Sequence, residues 1–214
     1  MAPGRSSGLR RDGLRGAHER QRHLASGLTR AERIEALGRT GATVWFTGLP
    51  ASGKSTLAAA LERTLVSRGR AAYLLDGDNM RHGLNGDLAF DRESRAENVR
   101  RAAHVAKLFA DAGVVALVSL VSPYAAERAK ARELHEADGL LFLEVYVNSP
   151  LTECERRDPK GLYARARRGE ICEFTGIDDP YERPERADLE LAAGDLPLEA
   201  AVDLLVTRLE RPIP

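Results

Sequence analysis

A phosphate-binding loop is predicted between residues 48 and 55. The stretch has the spacing GxxxxGK[ST], ending in Lys54 and Ser55, and it lies between a predicted buried strand and a predicted helix. Glycines let successive backbone amides point at phosphate oxygens, and the helix N-terminus adds a favourable dipole. Lys54 can reach the β- and γ-phosphates of ATP, and the Ser55 hydroxyl can bind Mg²⁺. The predicted ATP-binding residues are Gly48, Leu49, Pro50, Ala51, Ser52, Gly53, Lys54, Ser55 and Thr56.

Two carboxylates, Asp76 and Asp78, follow the next predicted strand. Beside a phosphate loop, one carboxylate can align or deprotonate an acceptor hydroxyl and another can hold a metal-bound water. We assign the first role to Asp78 and the second to Asp76, the alternative being a solvated Asp-Gly turn. None of the four asparagines precedes a lysine, so the Asn-Lys-x-Asp segment typical of GTPases is missing. The pattern therefore favours a small-molecule kinase.

The elements that position these residues alternate between strands and helices. Strands are predicted over 43–47, 71–75, 114–120, 141–147 and 189–192, and helices over 29–37, 54–68, 125–137, 151–157 and 198–209. A further helix is predicted to open with a capping box formed by Ser94 and Glu97. This alternation predicts an α/β fold with three layers, in which helices cover both faces of a parallel, mostly five-stranded sheet. Ligands bind beyond the carboxyl ends of such strands.

Composition excludes several other classes of protein. The 214 residues carry 32 basic and 32 acidic side chains, and this zero net charge argues against a nucleic-acid partner. The longest apolar run, over 114–121, is far shorter than the roughly 20 residues of a membrane helix, so no membrane association is expected. Two cysteines are too few for a disulfide framework or a four-cysteine zinc site. We therefore expect a cytoplasmic protein with reduced thiols.

The N-terminal segment differs in composition from the rest of the chain. Residues 1–40 contain nine arginines and four acidic residues, and the first residues lack a convincing apolar period. Residues 1–27 are predicted to be a disordered, Arg-rich tail, with a transit peptide as the alternative. Residues 28–214 are predicted to form a single kinase domain.

Further along the chain, a series of motifs resembles the adenylylsulfate kinase family. The matching segments are 48–56, 75–79, 81–85, 87–90, 95–101, 122–124, 144–147, 157–163 and 174–182. The resemblance runs from about Leu28 to the C-terminus, and the later motifs distinguish this family from other phosphate-loop kinases. Pro50-Ala51 and Ala89 stand where the family commonly has Ser-Gly and Gly. The resemblance implies transfer of the γ-phosphoryl group of ATP to the 3′-hydroxyl of adenosine 5′-phosphosulfate (APS), in sulfate assimilation.

The resemblance also implies which residues surround APS. Phe90 and Phe174 are expected to sandwich its adenine, which agrees with the preference of a base face for aromatic rings. Around the ribose and phosphosulfate the family would have Arg81, Arg95, Asn98 and Lys160, with Asp78, Val121, Ser122 and Thr175 lining the same pocket. A guanidinium suits such an anion because it offers a planar fork of donors. On the predicted helix, Arg95 and Asn98 share one face.

The role of Ser122 is open between two interpretations. The family has a serine here that is described as phosphorylated, which would make it a covalent intermediate. Direct transfer needs no enzyme nucleophile, and no base adjoins Ser122 in the sequence, so we favour a role in lining the pocket.

Residues 156–170 are rich in basic side chains and are predicted to form a mobile lid over the polyphosphate; a solvated basic helix is the alternative.

Two rival functions remain, a phosphate-loop kinase with another acceptor and a binding protein without turnover. Mg²⁺ is the expected cofactor and a homodimer the expected assembly, while an association with an ATP sulfurylase is left open.

Overall fold

Five parallel strands form the centre of the computed structural model, which describes residues 27–192 and 196–210. The strands are β1 (Ala42–Thr47), β2 (Ala72–Asp76), β3 (Val115–Ser119), β4 (Leu141–Asn148) and β5 (Leu189–Ala192). The helices are α1 (Arg30–Leu37), α2 (Lys54–Ser67), α3 (Gly77–Arg81), α4 (Arg92–Asp111), α5 (Ala125–Glu136), α6 (Leu151–Arg157), α7 (Leu162–Arg167) and α8 (Leu198–Glu210). The strand order is β2-β3-β1-β4-β5. The predicted tail falls almost entirely outside the described residues.

Helices pack on both faces of the sheet, which confirms the predicted three-layer α/β architecture. On β1, Val44 and Phe46 face one core together with Leu61 of α2 and Leu205 of α8. Trp45 points to the opposite face, where α4 and α5 cover it with small side chains such as Ala102. Because both faces are buried, β1 and β3 are runs of apolar residues with a few small hydroxyl residues rather than alternating strands.

Helix α1 lies at the amino end of the sheet and ends as predicted. The Thr29 hydroxyl and the Glu32 carboxylate form a reciprocal capping box, and Gly38 closes the helix in the left-handed conformation with φ 69°. Arg30 and Arg33 both reach Asp111 at the end of α4. These ion pairs fix α1 to the end of α4, although α1 itself buries no residue.

The predicted start of α4 is wrong by several residues. Asp91, not Ser94, is the N-cap: its carboxylate accepts hydrogen bonds from the Ser94 amide at 2.9 Å and the Ser94 hydroxyl at 2.8 Å. An ionised carboxylate at a helix N-terminus is a stronger acceptor than a hydroxyl. Glu97 is also drawn away from capping, because it pairs with Arg100 and Arg101.

The carboxyl ends of four strands meet at one edge of the sheet. Strands β1, β2, β3 and β4 end there at Thr47, Asp76, Ser119 and Asn148, and the predicted chemical groups follow these ends. No helix in the described ranges has both the length and the apolar character required to cross a bilayer.

Candidate active site

The phosphate loop connects β1 to α2 with an unusual backbone. Gly48 has φ 147° and Gly53 has φ 105°, and a Cβ on Gly48 would lie 2.6 Å from the Val147 carbonyl oxygen. Ala51 has φ 59°, a left-handed conformation that favours glycine. The alanine in this variable stretch is therefore accommodated with some strain.

Neighbouring elements hold the phosphate loop in place. The Ser149 hydroxyl donates to the Ser52 carbonyl at 2.9 Å, and Arg157 donates to the same carbonyl at 3.3 Å. The Tyr163 hydroxyl donates to the Pro50 carbonyl at 3.0 Å. The loop is thus tied to the end of β4 and to the predicted lid.

Lys54 is buried inside this loop, with 7% of its surface exposed. Its ammonium group donates to the Gly48 carbonyl at 3.0 Å and the Leu49 carbonyl at 2.7 Å. Burial lowers the pKa of Lys54 to about 8, although Asp76 and Asp78 oppose the shift. At neutral pH the ammonium is charged and held where phosphates of a bound nucleotide would meet it.

Nucleotide affinity is expected to weaken above pH 8. Nucleotide phosphates favour the charged form of Lys54, so ADP should bind the protonated enzyme and lose up to about tenfold in association constant per pH unit above the pKa. Calorimetric titration of ADP between pH 7 and 9.5 checks this. Lys54→Arg, which stays charged, should bind less tightly but without the break at pH 8; an affinity that stays flat in the wild type contradicts the assignment.

Ser55, Asp76 and Ser119 meet next to the phosphate loop. The Ser55 hydroxyl donates to the Asp76 carboxylate at 2.7 Å and lies 3.1 Å from the Ser119 hydroxyl. The other Asp76 oxygen accepts from the Asp78 amide at 3.0 Å and caps α3. This set of hard oxygen atoms fits Mg²⁺ held partly through water. Sequence analysis missed Ser119. The available signal was its place at the end of β3, the strand that pairs with β1 before the phosphate loop.

Asp78 and Lys160 contact each other directly. The Lys160 ammonium donates to Asp78, and 65% of the Asp78 side chain and 55% of the Lys160 side chain are exposed. Asp78 therefore faces solvent, near the phosphate loop but not buried in it. The structure brings together two residues predicted from distant parts of the sequence.

The remaining basic groups of segment 156–168 also have acidic partners. Arg156 and Arg157 pair with Glu153, Arg167 pairs with Glu155, and Arg165 and Arg168 pair with Glu170. Part of the segment forms α7, which sequence analysis did not predict. The ion pairs between these arginines and the glutamates, together with helix α7, give the segment a defined conformation in the structure.

Phe90, Arg81 and Arg95 form one cluster. Phe90 is 59% exposed, and the Arg81 guanidinium carbon lies 4.0 Å from the centroid of its ring. Arg95 donates to the Phe90 carbonyl at 2.6 Å and to the Glu173 carbonyl at 2.5 Å. Arg95 thus joins the two loops that carry the predicted pair of phenylalanines.

Phe174 is more buried than its predicted partner ring. It is 8% exposed and packs edge-on against Tyr163, with ring centroids 5.0 Å apart. The Asp178 carboxylate accepts from the Phe174 amide at 2.6 Å and fixes this turn. The next residue, Thr175, is buried and donates to Asp179 at 3.3 Å. No ring contact joins Phe90 and Phe174 within the described part of the chain.

Ser122 follows β3, and its hydroxyl is buried and doubly hydrogen-bonded. It accepts from the Trp45 indole nitrogen at 3.1 Å and donates to the Thr47 hydroxyl at 3.0 Å. The preceding carbonyl, of Val121, accepts from Thr47 at 2.8 Å. Neither partner of the Ser122 hydroxyl is a base that could activate it as a nucleophile.

Asn98 lies on α4 where its side chain is nearly buried. Its amide oxygen accepts from Asn85 at 2.8 Å, and Asn85 is fully buried. Asn85 is a second residue that sequence analysis did not assign, because its contact with Asn98 exists only in three dimensions.

Comparisons with known proteins agree on one family. The family model described as adenylylsulphate kinase matches residues 40–192. An adenylyl-sulfate kinase of Emericella nidulans is 50% identical over 191 residues, covering 86% of this chain and 93% of that relative. The bifunctional enzyme CysN/CysC of Mycobacterium tuberculosis is 55% identical over 168 residues, or 77% of this chain, but the match spans only 27% of the bifunctional relative.

A solved structure gives the same result. The M. tuberculosis APS kinase CysC, in complex with AMPPNP and APS, superimposes with a TM-score of 0.78 at 53% identity. The match covers 81% of this chain and 99% of that one.

Proposed function

The chain belongs to the adenylylsulphate kinase family, and from this premise we propose how its residues act. It is an ATP-dependent adenylyl-sulfate kinase, which forms ADP and 3′-phosphoadenylyl sulfate. The observation that carries the assignment of roles is the meeting of Lys54, Ser55, Asp76 and Asp78 at the carboxyl edge of the sheet. A phosphate loop thus lies next to an exposed carboxylate that faces the acceptor side.

On the donor side, the phosphate loop binds and orients the triphosphate. Backbone amides and Lys54 surround the β- and γ-phosphates, and Lys54 exchanges its loop carbonyls for phosphate oxygens. Phosphoryl transfer needs positioning and positive charge more than covalent chemistry. Arg157, which already contacts the Ser52 carbonyl, adds positive charge from the lid of residues 156–170 and helps to exclude water.

Mg²⁺ is the metal that suits this site. Ser55 and Asp76 would hold it, Asp76 through a bound water. When bound, the metal ion neutralises charge on the phosphate oxygens.

On the acceptor side, Asp78 aligns the 3′-hydroxyl of APS and receives its proton. Lys160 orients the Asp78 carboxylate before APS binds and then turns toward the anionic substrate. Phe90 and Phe174 hold the adenine, and Arg81, Arg95 and Asn98 bind the ribose and phosphosulfate. Val121, Ser122 and Thr175 line the pocket beneath them.

Ser122→Ala is expected to lower turnover by about two- to a hundredfold. Removing the hydroxyl deletes its hydrogen bonds to Trp45 and Thr47, and such bonds contribute about 0.5–3 kcal/mol. A serine that carried the phosphoryl group could not be replaced in this way, so turnover would fall by many orders of magnitude. Steady-state kinetics, with Ser67→Ala on the exposed end of α2 as control, separates the two outcomes.

An acceptor panel tests the proposed reaction. ADP release is measured with APS, adenosine, guanosine and gluconate as acceptors, each with ATP. Turnover with APS far above all the others supports the proposal. A nucleoside or sugar acid that matches APS would move the chain to the rival class of small-molecule kinases.

We infer a homodimer, an association with an ATP sulfurylase and a cytoplasmic location. The bifunctional relative, in which the matched part is one portion of a longer chain, supports a functional association with a second activity. We also propose that residues 1–27 form a tail and residues 28–214 a single kinase domain.

A further inference from the structure

Arg128 lies on α5, outside the residues assigned above, but its guanidinium reaches the acceptor side of the site. The side chain is 2% exposed. It donates to the Ser122 carbonyl and the Glu182 carbonyl, both at 2.6 Å, and to the Glu144 carboxylate at 2.8 Å. One buried cation therefore joins the loop after β3, a distant segment of chain and strand β4.

The first of these contacts restrains a strained residue. Ser122 has φ 40°, a conformation that costs free energy for a residue with a side chain and persists only where surrounding contacts hold it. Its hydroxyl is held by Trp45 and Thr47, and its carbonyl by Arg128. The path of the chain through Val121 and Ser122 depends on these contacts.

The second contact fixes Glu182 alongside the same loop. The Glu182 amide donates to the Pro123 carbonyl at 2.8 Å, and its carboxylate accepts from the Ala125 amide at 2.7 Å. With the Arg128 bond to its carbonyl, Glu182 makes three hydrogen bonds to residues 123–128. Two chain segments that are far apart in sequence are thereby joined.

The joined segment leads back to the Phe174 turn. The Tyr124 hydroxyl donates to one oxygen of Asp179 at 3.0 Å, and the other oxygen accepts from Thr175 at 3.3 Å. The Gly176 amide donates to the Asp179 carbonyl at 2.7 Å. A continuous set of contacts thus runs from Arg128 to the turn that carries Phe174 and Thr175.

We propose that Arg128 is a positioning residue for the acceptor. It holds the loop through Val121 and Ser122 (the Ser122 loop) and the turn that carries Phe174 and Thr175 (the Thr175 turn) at the separation that APS requires. The proposal rests on the proposed function, because it concerns the same acceptor pocket. None of the contacts described above for the phosphate loop involves Arg128. Loss of Arg128 should therefore affect APS rather than ATP.

A purely stabilising role for Arg128 is the competing explanation, and Arg132 provides the matched control. Arg132 lies one turn further along α5 and also reaches Glu144, at 3.6 Å. Its other partners are Asp188, Glu136 and the Phe142 carbonyl, none of which belongs to the Ser122 loop or the Thr175 turn. The two arginines share a helix and a carboxylate, but only Arg128 touches the acceptor side.

The test compares Arg128→Lys with Arg132→Lys in thermal unfolding and steady-state kinetics. A lysine at 128 keeps a cation near Glu144, but a single ammonium does not reproduce the planar fork that bonds both carbonyls. We expect both variants to unfold at lower temperature, and only Arg128→Lys to raise KM for APS, by about tenfold, since small displacements of substrate-positioning groups are costly. Its KM for ATP should stay within about twofold of the wild type, as should both KM values of Arg132→Lys.

Tyr124→Phe provides a milder second variant, because it removes only the hydroxyl that reaches Asp179. It should raise KM for APS in the same direction but less. If Arg128→Lys does not fold, an unchanged KM for APS in Tyr124→Phe overturns the proposal. The proposal is also overturned if Arg128→Lys raises KM for APS and KM for ATP equally, or if Arg132→Lys raises KM for APS as much as Arg128→Lys does. In either case, turnover of APS by the wild type leaves the proposed function intact. A wild-type enzyme that does not use APS overturns both.

Discussion

Asp78→Asn is expected to lower kcat at least about a hundredfold, the range for loss of acid–base assistance. The asparagine keeps the size and shape of the side chain, but it does not accept the proton of the 3′-hydroxyl. ADP affinity should change little, because Asp76, not Asp78, bonds Ser55 at the phosphate loop. Steady-state turnover of APS, together with calorimetric binding of ADP, measures both quantities.

Asp203→Asn is the control for this substitution. Asp203 is an exposed carboxylate on α8 that pairs with Arg68, away from the carboxyl edge of the sheet. It should leave kcat unchanged. If the Asp78 variant also turns over at close to the wild-type rate, the carboxylate is not the acceptor-side group, and its contact with Lys160 is only an ion pair.

Lys54→Met should have an effect of similar or larger size, a loss of roughly a thousandfold in kcat/KM. Removing one preorganised donor at a developing negative charge costs about 10²–10³ in rate, and we propose that Lys54 also binds the β-phosphate. Methionine fills much of the same buried space. The loss should therefore appear in both ATP binding and turnover.

Thermal unfolding separates this effect from loss of the fold. Lys54 bonds the Gly48 and Leu49 carbonyls, so the variant should remain folded with a modest change in melting temperature. Lys130→Met, on the exposed face of α5 where Lys130 pairs with Glu127, is the control. A folded Lys54 variant with kinetics close to those of the wild type would remove the central cation from the mechanism.

The phosphate loop and the sheet could be predicted from the sequence because their signals are local. The loop spacing is contained in eight residues, and the buried strands are short apolar runs with a regular alternation of helices between them. Strand β5 was predicted at its observed bounds, 189–192, and the helix that ends at Gly38 was also correct. These elements depend on neighbours a few positions away.

Features that depend on distant contacts were missed or misassigned. Ser94 has a good capping pattern with Glu97, but Asp91 provides the stronger acceptor and Glu97 pairs with arginines instead. The hydroxyl of Ser122 is bonded to Trp45, 77 positions away in the sequence. Arg128 acquires its position only when α5 packs beside the loop after β3, so no spacing in the sequence could identify it.

The acceptor side shows the same limit. The family resemblance implies that Arg81, Arg95 and the two phenylalanines surround one substrate, but not how they contact each other. The structure shows Arg81 against the Phe90 ring and Arg95 bonded to the carbonyls of Phe90 and Glu173. Side-chain contacts between loops are set by tertiary packing, which local propensity does not encode.

The stereochemical outcome at phosphorus tests most directly the claim that ATP donates its phosphoryl group to APS without a covalent enzyme intermediate. The reaction is run with ATP that is chiral at the γ-phosphorus, and the configuration of the new 3′-phosphate is determined. We expect inversion, because a single in-line displacement inverts the configuration at phosphorus. A single displacement is expected because neither group bonded to the Ser122 hydroxyl, Trp45 or Thr47, is a base that could activate it. Net retention would mean two displacements, would contradict direct transfer and would make an enzyme group, with Ser122 the first candidate, the carrier of the phosphoryl group.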